Sequence, residues 1–173
     1  MLFIRERIKM QITRNNTPLA TNGQPPLVGT TLPDFQVERA DKTNATSFDL
    51  ITKPTLISVV PNINTSVCSI STKHFNSEVD KYEGINFYTI STNTLDDQKN
   101  WCAAEGVKKM ELLSDNQRDF GKKMGLYIEE MDVDSRSIWI VDVNKKILYQ
   151  ELVHEMTDEP NYDAALEFLN GLK

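Results

Sequence analysis

The run Thr55-Leu56-Ile57-Ser58-Val59-Val60, closed by Pro61 and followed from Thr65 by helix-compatible sequence, narrows the folds open to this chain more than any other segment. A short apolar, β-branched stretch without polar alternation reads as a strand buried on both faces, hence as an inner strand of a sheet covered by helices. Pro61 has no N–H to give to a sheet ladder, so the strand ends there. Thr65 is a candidate N-cap, and Phe75, Val79 and Tyr82 recur at the spacing of one buried helical face. A strand-to-helix unit follows, with Cys68 in the first helical turn.

The segments on either side extend this pattern. Ile8, Met10 and Ile12 alternate ahead of the turn-like cluster Arg14-Asn15-Asn16-Thr17-Pro18, which predicts an N-terminal hairpin. Thr21 to Pro26 reads as a loop, and Pro33 to Val37 as the start of a further strand. Ile85 to Ser91 reads as a second core strand, Thr94 to Ala104 as a second helix with Asp96 and Asp97 at its start, and Cys102 falls near that helix's end. A short strand around Met110 to Leu113, a helix from Gln117 to Met124 stopped by Gly125, strands over Ser137–Val143 and Ile147–Leu152 joined by a tight turn, and a closing helix from Tyr162 to Leu172 complete the order. The expected fold class is α/β, a thioredoxin-like core with a central mixed sheet flanked by helices and an N-terminal β-hairpin. Residues 1–173 are read as a single domain, with 1–7 a candidate disordered extension, because no linker rich in Gly, Ser or Pro divides the chain.

With 25 acidic against 19 basic side chains the net charge is −6, which argues against nucleic acid: nothing here supplies the counterion release that drives phosphate-backbone binding. The pairs Lys108-Lys109, Lys122-Lys123 and Lys145-Lys146 are short and scattered, as solvated surface is. No apolar run approaches the roughly 18 residues of a membrane span, so no membrane partner is expected. The start Met1-Leu2-Phe3-Ile4-Arg5-Glu6-Arg7 has neither a basic n-region nor a small-residue cleavage site, and a cytoplasmic, reducing location is expected. In such a compartment a pair of cysteines is more often catalytic or redox-active than a permanent crosslink.

The chain has two cysteines. Cys68, at a helix start, faces unpaired backbone N–H groups and the positive end of the helix dipole, which favour a thiolate; Cys102 is its candidate partner. Helix-end stabilisation amounts to at most about 2 kcal/mol, so a nearby cation is also called for. A purely structural, buried cysteine is the competing reading, against which stand the Pro-x-x-x-Thr-x-x-Cys spacing and the single second cysteine on a helix end. His74 and His154 lack the close spacing of zinc ligands and read as ordinary surface or structural residues. Trp101 and Trp139 read as core.

Pro61, Thr65 and Cys68 match the Pro-x-x-x-Thr-x-x-Cys signature of peroxiredoxins. The stretches Pro61-Asn62-Ile63-Asn64-Thr65-Ser66-Val67-Cys68, Trp101-Cys102-Ala103-Ala104-Glu105-Gly106 and Glu159 to Leu166 resemble the thiol peroxidase branch, the atypical two-cysteine peroxiredoxins. The likeness runs in consistent order from about Ile8 to Leu172.

That resemblance implies a peroxidase of hydrogen peroxide and organic hydroperoxides. Cys68 would become a sulfenic acid, Cys102 would resolve it as an intramolecular disulfide, and thioredoxin or a similar dithiol protein would reduce the disulfide. The cycle uses no metal, haem or flavin, and a homodimer is implied. By position, Thr65 would hydrogen-bond the thiolate and the peroxide, Pro61 would shield the site from water, and Arg136, at the start of a late strand, would supply the cation. Arg118 is the alternative cation. A peroxide-sensing module that forms the same disulfide without sustained turnover is the alternative function.

Two departures from the branch stand out. Asn64 replaces the usual acidic residue, and Glu129-Glu130-Met131-Asp132-Val133-Asp134 is more acidic and less apolar than the corresponding stretch. Since a disulfide requires Cα atoms within about 7 Å, cysteines on two helices predict rearrangement around Cys68 and Cys102 during turnover.

Overall fold

The computed structural model describes residues 8–107 and 109–172; the expected extension over 1–7 lies outside the described residues. An N-terminal hairpin pairs β1 (Gln11–Arg14) with β2 (Thr17–Ala20). Its two-residue turn puts Asn15 at φ 49° and Asn16 at φ 65°, the left-handed pair that matches hairpin twist and that asparagine tolerates best after glycine. Ile12 is buried and Met10 partly so, but Ile8 is exposed, so the alternating face begins later than its pattern suggests.

Strands β3 (Gln36–Glu38) and β4 (Asn44–Thr46) lead into a one-turn helix, α1 (Ser47–Leu50). Thr46 and Asp49 cap α1 reciprocally, side chain to backbone in both directions, satisfying two N–H groups that a helix start leaves orphaned. After β5 (Thr55–Val59) and α2 (Ser66–Glu78), a 3-10 turn over Val79–Lys81 leads to β6 (Asn86–Ser91), α3 (Leu95–Glu105) and β7 (Glu111–Ser114). The chain closes with α4 (Asp119–Lys123), the short hairpin β8 (Tyr127–Ile128) and β9 (Val133–Asp134), then β10 (Ser137–Val141), β11 (Ile147–Leu152) and α5 (Tyr162–Asn170).

A seven-stranded sheet runs in the order β11-β10-β5-β6-β7-β3-β4. β5, β6 and β7 are parallel, and the strands added at both edges are antiparallel, so the sheet is mixed. β5 lies third from one edge with every residue buried, as its unalternating sequence requires. The two-residue period then sorts neighbours onto opposite faces. Leu56, Phe87, Ile138 and Ile140 pack with Phe75 of α2, Trp101 of α3 and Leu166 and Leu169 of α5. Ile57, Val59, Tyr88, Ile90, Trp139 and Val141 pack on the other face with Leu50, Phe120 and Met124. Each such fully buried large side chain contributes about 1.5–3 kcal/mol, so both faces are fixed by core packing.

The helix expected over 117–124 is shorter than its pattern suggests. Arg118, at φ 61°, serves as its N-cap in a left-handed conformation, and Gly125, at φ 67°, follows its end. No helix among the described residues is long and apolar enough to cross a membrane.

Candidate active site

Pro61 ends β5 and is itself buried, turning the chain into the loop that begins α2. The loop is held from the far side by Asn93, between β6 and α3. Asn93 Oδ1 accepts the Ile63 N–H at 2.8 Å and its Nδ2 donates to Asn62 Oδ1 at 3.0 Å. Sequence reasoning missed this asparagine pair; no spacing rule links residues on two different strand-to-helix connections.

Thr65 is the N-cap of α2, as its sequence position suggests, but its side chain does not cap. The hydroxyl donates to the Asn62 carbonyl at 2.9 Å instead, and Thr65 is exposed. No hydrogen bond joins Thr65 to Cys68 among the described residues; its oxygen remains able to accept from a bound molecule. Cys68 is the third residue of α2, inside the first turn whose N–H groups have no helical acceptors. It is fully buried, and its carbonyl accepts the Thr72 hydroxyl at 2.9 Å.

Arg136 stands immediately before β10 and is 3% exposed. Its Nη2 donates to Cys68 Sγ at 3.3 Å and to the Met156 carbonyl at 3.1 Å, while Nε donates to the same carbonyl at 3.2 Å. A permanent positive charge is thus fixed against the sulfur, with Met156 setting the plane of the guanidinium. Its third nitrogen, Nη1, is buried without a protein partner, a donor left over beside the thiol. Met156 is placed in turn by the N-terminal hairpin: its N–H donates to the Thr13 carbonyl at 2.8 Å. Glu155 accepts from the Thr13 hydroxyl at 2.5 Å and from the Asn15 N–H at 2.7 Å. Arg118, the alternative cation, is engaged elsewhere, in a two-pronged pair with Asp132 at 2.9 and 2.7 Å.

Cys102 lies in the last turn of α3, where its carbonyl accepts the Gly106 N–H. Gly106 adopts φ 71°, the left-handed cap that glycine takes without strain. The thiol is half-buried against the cluster that contains Cys68, and this burial pushes its pKa up, so it is a neutral thiol at rest. Both cysteines are free. His74 stacks on Tyr162 with ring centroids 4.2 Å apart, and His154 is exposed. Among the described residues no group of three or more His, Cys, Asp or Glu side chains is arranged to hold a metal ion.

A thiol buried at a helix start under an arginine, with a second cysteine on the next α-helix flanking a mixed sheet, defines a thiol-based redox protein of thioredoxin-like fold. The AhpC/TSA family model matches residues 28–150, and the chain belongs to that family. Within it the chain stands with the thiol peroxidases. It is 41% identical over 160 residues to the thiol peroxidase of Oceanobacillus iheyensis, covering 92% of this chain and 98% of that protein. It is 39% identical over 163 residues to the thiol peroxidase of Bacillus subtilis, covering 94% and 98%. Among solved structures, a peroxiredoxin-like protein from Aquifex aeolicus superposes with a TM-score of 0.86 at 25% identity, covering 95% of this chain and 99% of that one. Thiol peroxidase from Chromobacterium violaceum gives 0.85 at 20% identity, covering 95% and 98%, and supports the fold.

Proposed function

We propose that this peroxide-reducing enzyme works by a two-cysteine cycle in which Cys68 is oxidised and Cys102 resolves it. The observation that carries the reading is the buried Arg136 guanidinium donating to Cys68 Sγ. The Cys68 thiolate attacks one oxygen of hydrogen peroxide or an organic hydroperoxide. The O–O bond breaks, the sulfur becomes a sulfenic acid, and the leaving oxygen departs as hydroxide or alkoxide and takes up a proton. Arg136 is a donor aimed at the charge that develops on the leaving oxygen, for which its unpartnered Nη1 is suited. Thr65, whose hydroxyl hydrogen already goes to Asn62, is left to accept from the peroxide O–H, and buried Pro61 shields the site from bulk water.

Cys102, a neutral thiol, loses its proton as its sulfur attacks the Cys68 sulfenic acid; water leaves and a disulfide forms. Thioredoxin or a similar dithiol protein then reduces the disulfide by two thiol exchanges, in the cytoplasm. A homodimer belongs to the same proposal, on the strength of the resemblance.

The test is NADPH oxidation coupled through thioredoxin reductase and thioredoxin, with hydrogen peroxide and cumene hydroperoxide. Wild type is expected to turn over, Cys68→Ser to be inert, and Cys102→Ser to consume one equivalent of peroxide without recycling through thioredoxin. A wild-type chain that forms the disulfide once and stops would overturn the enzymatic cycle in favour of a sensor.

A further inference from the structure

Two buried acids lie outside the cysteine site: Asp115, 1% exposed, and Asp134, fully buried. Asp134 belongs to the segment whose acidity departs from the thiol peroxidase pattern, and it comes two residues before Arg136. Asp115 has a backbone donor on each oxygen, accepting the N–H groups of Phe120 and Gly121 at 2.9 Å each. Neither oxygen of Asp134 has any such donor. Its Oδ1 lies against Gly121, the residue whose N–H goes to Asp115 Oδ2, so the two carboxyls converge at Gly121, and two carboxylates cannot both ionise at such contact away from water. The donor set assigns the single proton: Asp115 is the carboxylate, held by backbone, and Asp134 is the acid that donates to it.

The local chain is built around this contact. A Cβ on Gly121 would come 1.7 Å from Asp134 Oδ1, so glycine is what lets the acid press against α4. Tyr127 pairs with Asp134 across the β8–β9 hairpin, and the Ser135 N–H donates to the Leu126 carbonyl at 2.8 Å. The next residue is Arg136. The main chain that delivers the guanidinium is therefore anchored on one side by Asp134 and Ser135, while Met156 anchors the guanidinium itself.

We propose that Asp134 is a positioning residue for the reaction at Cys68: the proton it shares with Asp115 pins the strand end that carries Arg136, and loss of that proton releases the pin. The proposal rests on the reading of Arg136 as the cation of the site. Burial first, and then the charge of Asp115, push the Asp134 carboxyl well above the usual carboxylate range. Burial also raises Asp115, against the donors that lower it. The other charges facing the pair are Arg118 and Asp132, bound to each other, and Asp119 on α4. None supplies a cation free to neutralise a second carboxylate. On deprotonation two adjacent charges repel within a dry contact, and the strand end before Arg136 shifts.

Two measurements test this. Infrared spectroscopy of the whole chain should show the carbonyl band of a buried, protonated carboxylic acid at neutral pH, absent in Asp134→Asn. Stopped-flow oxidation of Cys68 by hydrogen peroxide should slow in wild type on the alkaline side by about ten- to a hundred-fold, the scale of a small misplacement of a catalytic group. In Asp134→Asn an amide N–H donates to Asp115 at every pH, and that alkaline loss should disappear. Asp115→Asn removes the second charge of the pair, so an ionised Asp134 meets no like charge and the alkaline loss should disappear there too, which gives a second variant should the first fold poorly.

Wild-type and Asp134→Asn profiles that superimpose, or spectra without the band, would overturn the proposal. A wild type that keeps the band but does not react with peroxide would overturn the peroxidase reading, and the positioning role with it, while leaving the shared proton in place.

Discussion

Replacing Arg136 by Met separates the chemistry of the site from its packing. Methionine matches the arginine stem in length and stays buried, so what is lost is the guanidinium: the bond to Cys68 Sγ, the two bonds to the Met156 carbonyl, and the free Nη1. Loss of a donor aimed at developing charge lowers the rate by about 10²–10³, and hydrogen bonds to charged groups are worth about 1.5–3 kcal/mol each. The second-order rate of Cys68 oxidation is therefore expected to fall by at least about 10²-fold. Stability should change far less dramatically. The Met156 carbonyl loses its donors, at about 1–3 kcal/mol, which for a chain of this size lowers Tm by roughly 2–4 °C per kcal/mol. Arg136→Lys keeps the charge but not the planar fork that reaches sulfur and carbonyl together, and should fall between wild type and Arg136→Met. The assay is stopped-flow sulfenic acid formation at limiting peroxide, with thermal unfolding of the same samples. A variant that loses several degrees of Tm yet reacts within a few-fold of wild type would refute the argument, because the arginine would then be packing and not catalysis.

Two further outcomes follow from the same geometry. The Thr13 hydroxyl, with further donors behind it, holds the Glu155 carboxyl down to about 2, so its contacts to the hairpin persist above the ordinary carboxylate range and are lost as pH falls toward that value. Amide exchange at Asn15 and Asn16, whose N–H groups donate to Glu155, should accelerate in that acid window and already at neutral pH in Glu155→Gln; protection that ignores both changes would exclude Glu155 as the clamp. Oxidation to the disulfide should lower exchange protection in the first turn of α2 and the last turn of α3, since Cys68 starts fully buried under Arg136 and Cys102 starts on a separate helix. Identical exchange in both redox states at both segments would contradict the local unfolding argued for turnover.

The inner strand β5, the helix that begins at Thr65 and the place of Cys102 near a helix end were legible because each depends on local signals: an unalternating apolar run, a breaking proline, and an N-cap followed by one apolar face. The place of Arg136 beside Cys68 was legible only through the family pattern, since nothing in the period of the sequence brings residue 136 next to residue 68. Local signals also had a limit of length. The Thr46–Asp49 box that starts α1 is a true sequence signature, yet the helix it starts is a single turn and leaves no periodic face to read. β8 and β9 are two residues each, too short for any alternation. Thr65 shows a different limit. Its position was readable from its type, but the direction of its hydroxyl was decided by the Asn62 carbonyl in the loop before it.

The contacts that hold Arg136 were the least legible, and the reason is topological. Met156 accepts the guanidinium, Thr13 fixes Met156 from the other end of the chain, and Asp115 meets Asp134 from beyond β7. Every one of these partners comes from a different connection around the sheet, so no window of sequence contains more than one of them. The central strands can be specified by their own apolar pattern because burial is non-directional and tolerates many partners. A guanidinium that faces one sulfur at hydrogen-bonding distance is directional, and here its direction is set from two sides at once, by a carbonyl tied to the N-terminal hairpin and by a strand end tied to α4. Loosening either side should therefore affect the chemistry at Cys68 before it affects the core. Glu155→Gln and the alkaline limb of Asp134 are the two places where that order can be read, each as a loss of rate without a matching loss of Tm.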